Sequence, residues 1–74
     1  MENPKPLPAD AVRRLRALTH DLSNSLETIL QAAYLLGQVE LEAQAKHWVQ
    51  MIDSASQDGA RINHQIREVL RSQD

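Results

Sequence analysis

Leu15-Arg16-Ala17-Leu18-Thr19-His20-Asp21-Leu22-Ser23-Asn24-Ser25-Leu26-Glu27-Thr28-Ile29 places an apolar side chain at every third or fourth position: Leu15, Leu18, Leu22, Leu26 and Ile29. That spacing is the period of one face of an α-helix, not the alternation of a strand. The stripe runs back to Val12 and forward to Ala33 and Leu36, and no Gly or Pro interrupts it. A first helix is therefore predicted over about 9–36. Pro8 suits its first turn, where a missing N–H leaves no bond unmade, and Asp10 sets a carboxylate at the positive end of the helix dipole. Residues 1–8, Met-Glu-Asn-Pro-Lys-Pro-Leu-Pro, hold all three prolines and are expected to form a flexible or extended lead-in.

Gly37 follows the last stripe residue, where a helix end commonly takes a left-handed backbone, and residues 37–39 are predicted to form a short turn. A second helix is predicted over about 40–71, with the stripe Leu41, Ala45, Trp48, Ile52, Ala55, Gly59, Ile62, Ile66 and Val69. Gly59 costs about 1 kcal/mol relative to Ala in a helix interior, which either close packing against the first helix or a local bend would justify. Helices joined so tightly are antiparallel neighbours. Counting back from the turn sets His20 level with residues 54–58, which brings Asp53 or Asp58 towards it.

Each helix of about 30 residues is roughly 45 Å long. Two such helices touch along a single seam, and apolar stripes wider than that seam stay partly wet. The expected architecture is all-α: an antiparallel two-helix hairpin over 9–72 that pairs with a second copy as a homodimeric four-helix bundle. With Leu15, Leu22, Ile29 and Leu36 at heptad position a, His20 falls at f, the most exposed position.

Composition narrows the chemistry. The 74 residues include no cysteine, which removes thiolate catalysis and cysteine metal sites and fits a reducing, cytoplasmic setting. Phe is absent and Tyr34 and Trp48 are the only aromatics, so the core must be aliphatic. A net charge of −2 and a pI near 5.8 leave no broad basic surface, and no nucleic-acid partner is expected. The basic cluster Arg13, Arg14 and Arg16 reads as a solvated helix face. No stretch is apolar enough for a membrane span or a signal peptide. His47 has no carboxylate one turn away, and His64 with Glu68 makes only a two-ligand start, so no metal site is expected. Trp48 reads as a core or dimer anchor.

His20 is where chemistry concentrates. Its bland reading is a surface histidine with no role. Its sharper reading starts from an imidazole that is largely neutral at pH 7 and attacks a phosphoryl group, provided the other ring nitrogen is held and the resulting positive charge is balanced. Asp21 can supply that balance, although it lies roughly 100° round the helix and any contact depends on rotamers. Asn24, one turn on, shares the face of His20 and can bond a phosphoryl oxygen or place a water.

His20-Asp21-Leu22-Ser23-Asn24 resembles the H-[ED]-x-x-[NT] box of the dimerisation and histidine-phosphotransfer domain of sensor histidine kinases, in the variant written HDxxN. Ser25 stands where many members have proline, in agreement with that variant. The resemblance covers about residues 9–71. It implies His20 as phosphoacceptor, Asp21 as acid or base in phosphoryl transfer, and Asn24 as the residue for dephosphorylating a response regulator. It further implies Glu27, Gln31 and Tyr34 as a docking surface for the receiver domain of that regulator, beside the plain reading of a solvated face.

A sensor kinase also needs an ATP-binding domain, and two glycines and 74 residues leave no room for one. The chain is not a kinase by itself and is expected to bind no cofactor; ATP and Mg enter only through a partner kinase domain. It is read either as a piece of a kinase or, with Met1 in its favour, as a small stand-alone protein that borrows phosphoryl groups. The expected partners are a second copy, a receiver domain and the ATPase domain of a histidine kinase. The competing reading is a hairpin adaptor or inhibitor that binds a kinase or regulator without chemistry. A DNA-associated dimer is disfavoured by the acidic balance.

Overall fold

The computed structural model describes residues 7–73. They form two helices and no strand: α1 spans Ala9–Gly37 and α2 spans Ala43–Arg71, 29 residues each. The two lie antiparallel in a layer of 54 × 26 × 11 Å, one helix thick. Most of the lead-in expected over 1–8 lies outside the described residues. Pro8 is the N-cap residue and not the first helical residue, and its carbonyl accepts the Val12 N–H at 3.0 Å.

The connection differs from the turn the sequence suggested. Gly37 is the last residue of α1 and its backbone is not left-handed. Instead the Gln38 N–H donates to the Leu35 carbonyl at 3.0 Å and the Val39 N–H to the Leu36 carbonyl at 3.2 Å. These i→i−3 bonds tighten the last turn and satisfy carbonyls that a left-handed glycine would otherwise cap. Residues 38–42 then run to α2, whose Glu42 N-cap is extended. α2 therefore begins at Ala43 and not at Glu40, and the connection is five residues long.

The seam between the helices is not the most apolar line on either of them. Among the described residues Val12, Ala33 and Leu70 are the buried apolar side chains, and Thr19, Ser56 and Asn63 are buried beside them. Leu18, Leu22, Ile29 and Leu36 of α1 remain exposed, as do Trp48, Ile52, Ile62 and Ile66 of α2. At 100° per residue these leucines and isoleucines sit about a quarter-turn to one side of the seam on each helix. Because the helices run in opposite senses, both rows emerge on the same face of the layer. One broad face of the hairpin is thus apolar.

Small residues let the helices approach. A Cβ added at Gly59 would stand 3.1 Å from Leu26 Cδ2, so of the two explanations open for this glycine the structure selects close packing, within an unbroken helix. Asn63, 2% exposed, crosses the seam: its Nδ2 donates to the Thr19 carbonyl at 3.0 Å and to Ser23 Oγ at 2.7 Å. These bonds fix the register. They set Thr19 and Ser23 level with Asn63, not with residues 54–58, because the longer connection shifts α2 relative to α1.

Candidate functional site

His20 is exposed on α1, on the side of the layer away from the apolar face. It forms part of the wall of an open cleft of about 500 Å³ between the two helices, towards the end of the hairpin that holds the N-terminus of α1 and the C-terminus of α2. Arg16 enters from α1, one turn before His20; His64, Arg67, Glu68 and Arg71 enter from α2. Two elements therefore build the site, and the Asn63 bridge holds them in step. Thr19, immediately before His20, is fixed twice, since its hydroxyl donates to the Arg16 carbonyl at 2.9 Å while its carbonyl accepts from Asn63.

The charged groups are arranged unevenly. Arg71 Nη1 donates to Glu68 Oε1 at 3.1 Å, and His64 Nε2 stands 3.6 Å from the same oxygen. Arg16 Nη2 donates to the carbonyl of the buried Leu70 at 3.4 Å, which draws this side chain across the seam. Arg16 from α1 and Arg67 and Arg71 from α2 thus share the cleft with Glu68 and His64. The basic cluster read as a solvated face thus divides: Arg13 pairs with Asp10 on its own helix, while Arg16 turns into the cleft.

The residues expected to assist His20 stand apart from this cleft. Asp21 and Asn24 are exposed, and neither side chain hydrogen-bonds to His20. The Asn24 carbonyl accepts from the Thr28 hydroxyl at 3.0 Å, an ordinary bond within the helix. Asp53 and Asp58 are engaged elsewhere, Asp53 with Gln57 at 2.9 Å and Asp58 with Arg61 at 3.2 Å. Glu27 and Gln31 are exposed further along α1, and Tyr34 lines a second opening of about 480 Å³ near the connection, with Gly37, Gln38 and Gln50. Among the described residues no three His, Asp or Glu side chains converge in a group that could hold a metal ion. No helix there is long and apolar enough to cross a membrane.

The sequence contains one signal for the rest of the cleft: His64, Arg67, Glu68 and Arg71 recur at three and four, so they form a charged row on α2. What sequence reasoning missed is that this row meets His20, because that depends on the register. No protein-family model, no curated protein and no solved structure matches the chain.

Proposed function

We propose that this chain is a phosphotransfer module of two-component signalling, working in the cytoplasm as a homodimeric four-helix bundle, with His20 as the phosphoacceptor. The observation that carries this reading is the placement of His20: exposed, inside an HDxxN sequence, and on the face opposite the uncovered apolar rows. A second copy laid on the apolar face covers Leu22, Ile29, Trp48 and Ile52 and leaves His20 open to a partner.

The step balances as follows. A lone pair on one imidazole nitrogen attacks the γ-phosphorus of ATP held by a partner kinase domain with Mg. The N–P bond forms as the bond to the β-phosphate oxygen breaks, and ADP leaves with that electron pair. The phosphoimidazole becomes neutral by losing the proton on its other ring nitrogen, which Asp21 accepts directly or through water. Onward transfer reverses the roles: a receiver carboxylate attacks phosphorus, and the N–P electrons return to the ring. Asn24, on the face of His20, positions the water that hydrolyses the receiver's acyl phosphate, and Glu27, Gln31 and Tyr34 extend the surface on which that receiver docks.

Incubation with a histidine kinase ATPase domain and labelled ATP should mark the wild-type chain and not His20→Gln. Equal labelling of the two ends this reading. One observation favours the alternative, a docking hairpin without chemistry: among the described residues no side chain hydrogen-bonds to the His20 ring in place to take its proton. In that case His20→Gln retains its partner and its biological effect in full.

A further inference from the structure

We propose that His64, backed by Glu68, is a second proton acceptor for His20, reached across the cleft through one solvent molecule. The inference rests on His20 being the phosphoacceptor, and what it adds is a partner from the other helix.

The seam brings the two histidines level. Asn63 donates to the Thr19 carbonyl at 3.0 Å, and His20 and His64 are the residues that follow this bonded pair on their two helices. One residue is a rotation of 100°, and in helices of opposite sense the two rotations lead to the same broad face of the layer. Both imidazoles therefore rise from that face at one level, and both line the one cleft. Packed helices have axes about 8–10 Å apart, so two rings standing side by side leave space for about one water between them. Asp21 is placed otherwise: it lies roughly 100° round α1 from His20 and does not line the cleft.

His64 is equipped to accept a proton. Its Nε2 stands 3.6 Å from Glu68 Oε1, one turn on. With the Nε2 hydrogen directed at that carboxylate, Nδ1 is the nitrogen left to accept. Once Nδ1 is protonated, the ring and Glu68 form an ion pair.

The step balances. As one His20 nitrogen attacks phosphorus, the N–P bond forms and the donor's bond to its leaving group breaks, its electron pair going with that group. The proton on the other His20 nitrogen passes to the water while the water gives one to His64 Nδ1. The phosphoimidazole is neutral, and the positive charge rests on His64 beside Glu68. Transfer of the phosphoryl group onward returns the proton by the same route. Asp21 serves the outer side of the His20 ring and His64 the cleft side.

Phosphoramidate phosphorylates histidine without a partner enzyme, and phosphorus NMR of the full chain follows the phosphohistidine formed, with His20→Gln identifying the His20 signal. His64→Gln should slow labelling of His20 about tenfold. Because His64 is exposed, circular dichroism should show unchanged helicity. His64→Glu, which restores an acceptor at that place, should recover part of the rate. The ratio of wild-type to His64→Gln rates should be greatest above about pH 7, where imidazole is neutral, and fall towards one below about pH 6, where it is already protonated. Arg16 and His20 from α1 and Arg67, Glu68 and Arg71 from α2 face His64 and are common to the two proteins compared. Asp21→Asn should leave label measurable, and adding His64→Gln should remove most of what remains.

A His64→Gln chain of full helicity that is labelled at the wild-type rate overturns the role of His64 and leaves His20 a phosphoacceptor. So does a loss that is the same at every pH and is not repaired by His64→Glu. Absence of label on wild-type His20 overturns the phosphoacceptor reading, and the relay with it.

Discussion

Asn63 carries more of the hairpin's specificity than any apolar residue. It is almost fully buried in the seam, its amide nitrogen bonds to Thr19 and Ser23 on the other helix, and its Oδ1 has no partner. A buried polar group of this kind costs desolvation and repays it only in part, so its effect lies in register more than in stability. Asn63→Ala removes two hydrogen bonds and leaves a small void. It should destabilise the hairpin by about 1–3 kcal/mol in urea unfolding at fixed protein concentration. Asn63→Leu, which fills the space and removes the orphaned oxygen, should cost less while allowing α2 to slip. The His20 and His64 ring signals would report that slip as line broadening. A cost to Asn63→Leu as large as that to Asn63→Ala would contradict this division between stability and register.

At the level of the helix, the two glycines make a matched pair. Gly37 lies at the end of α1 with an ordinary right-handed backbone and nothing within 4 Å of an added Cβ. Gly59 lies inside α2 with Leu26 against it at 3.1 Å. Ala removes backbone freedom at both, a gain of about 0.5–1 kcal/mol where space permits. Gly37→Ala should therefore raise stability by about that amount in thermal or urea unfolding. Gly59→Ala should gain less, because the end of the Leu26 side chain must give way by a few tenths of an ångström.

The pair also marks what was legible in the sequence. Helix existence and type followed from the recurrence at three and four, since that period is a property of the backbone. A glycine at 37 suggests a left-handed cap, the conformation glycine commonly supplies at a helix end, but the Gln38 and Val39 amides close the turn without it. The seam was legible in part: Val12, Leu26, Ala33 and Gly59 belong to the expected stripes, but Thr19, Ser56 and Asn63 are small or polar and gave no such signal, and Leu18, Leu22 and Ile29 of the same stripe stay exposed. Exposure of His20 followed from its heptad position. The meeting of His20 with Arg67 and Arg71 did not, since it rests on the length of the connection over 38–42.

Taken whole, the chain is too thin to have an interior. Its accessible surface is 6335 Å², against roughly 4,600 Å² expected for a compact chain of this mass. In the proposed bundle a second copy laid on the apolar face completes this layer. Sedimentation should return twice the 8.4 kDa chain mass, and Leu22→Asp or Ile29→Asp should yield a monomer or an unfolded chain. A stable wild-type monomer of full helicity would refute the bundle. Apparent stability should also rise with protein concentration, as it does whenever folding and association are coupled.

The five-residue connection sits at one end of this layer, and the cleft lies towards the other. His20 is about 25 Å and Arg67 about 36 Å along its helix from that connection. A hairpin joined at one end behaves as a pair of tongs: it converts angle into distance. Each degree of splay between α1 and α2 widens the cleft by roughly half an ångström, about the scale on which a hydrogen bond is made or lost. The geometry that brings two arms together at one cleft also makes the gap between them a gauge of the angle at the connection.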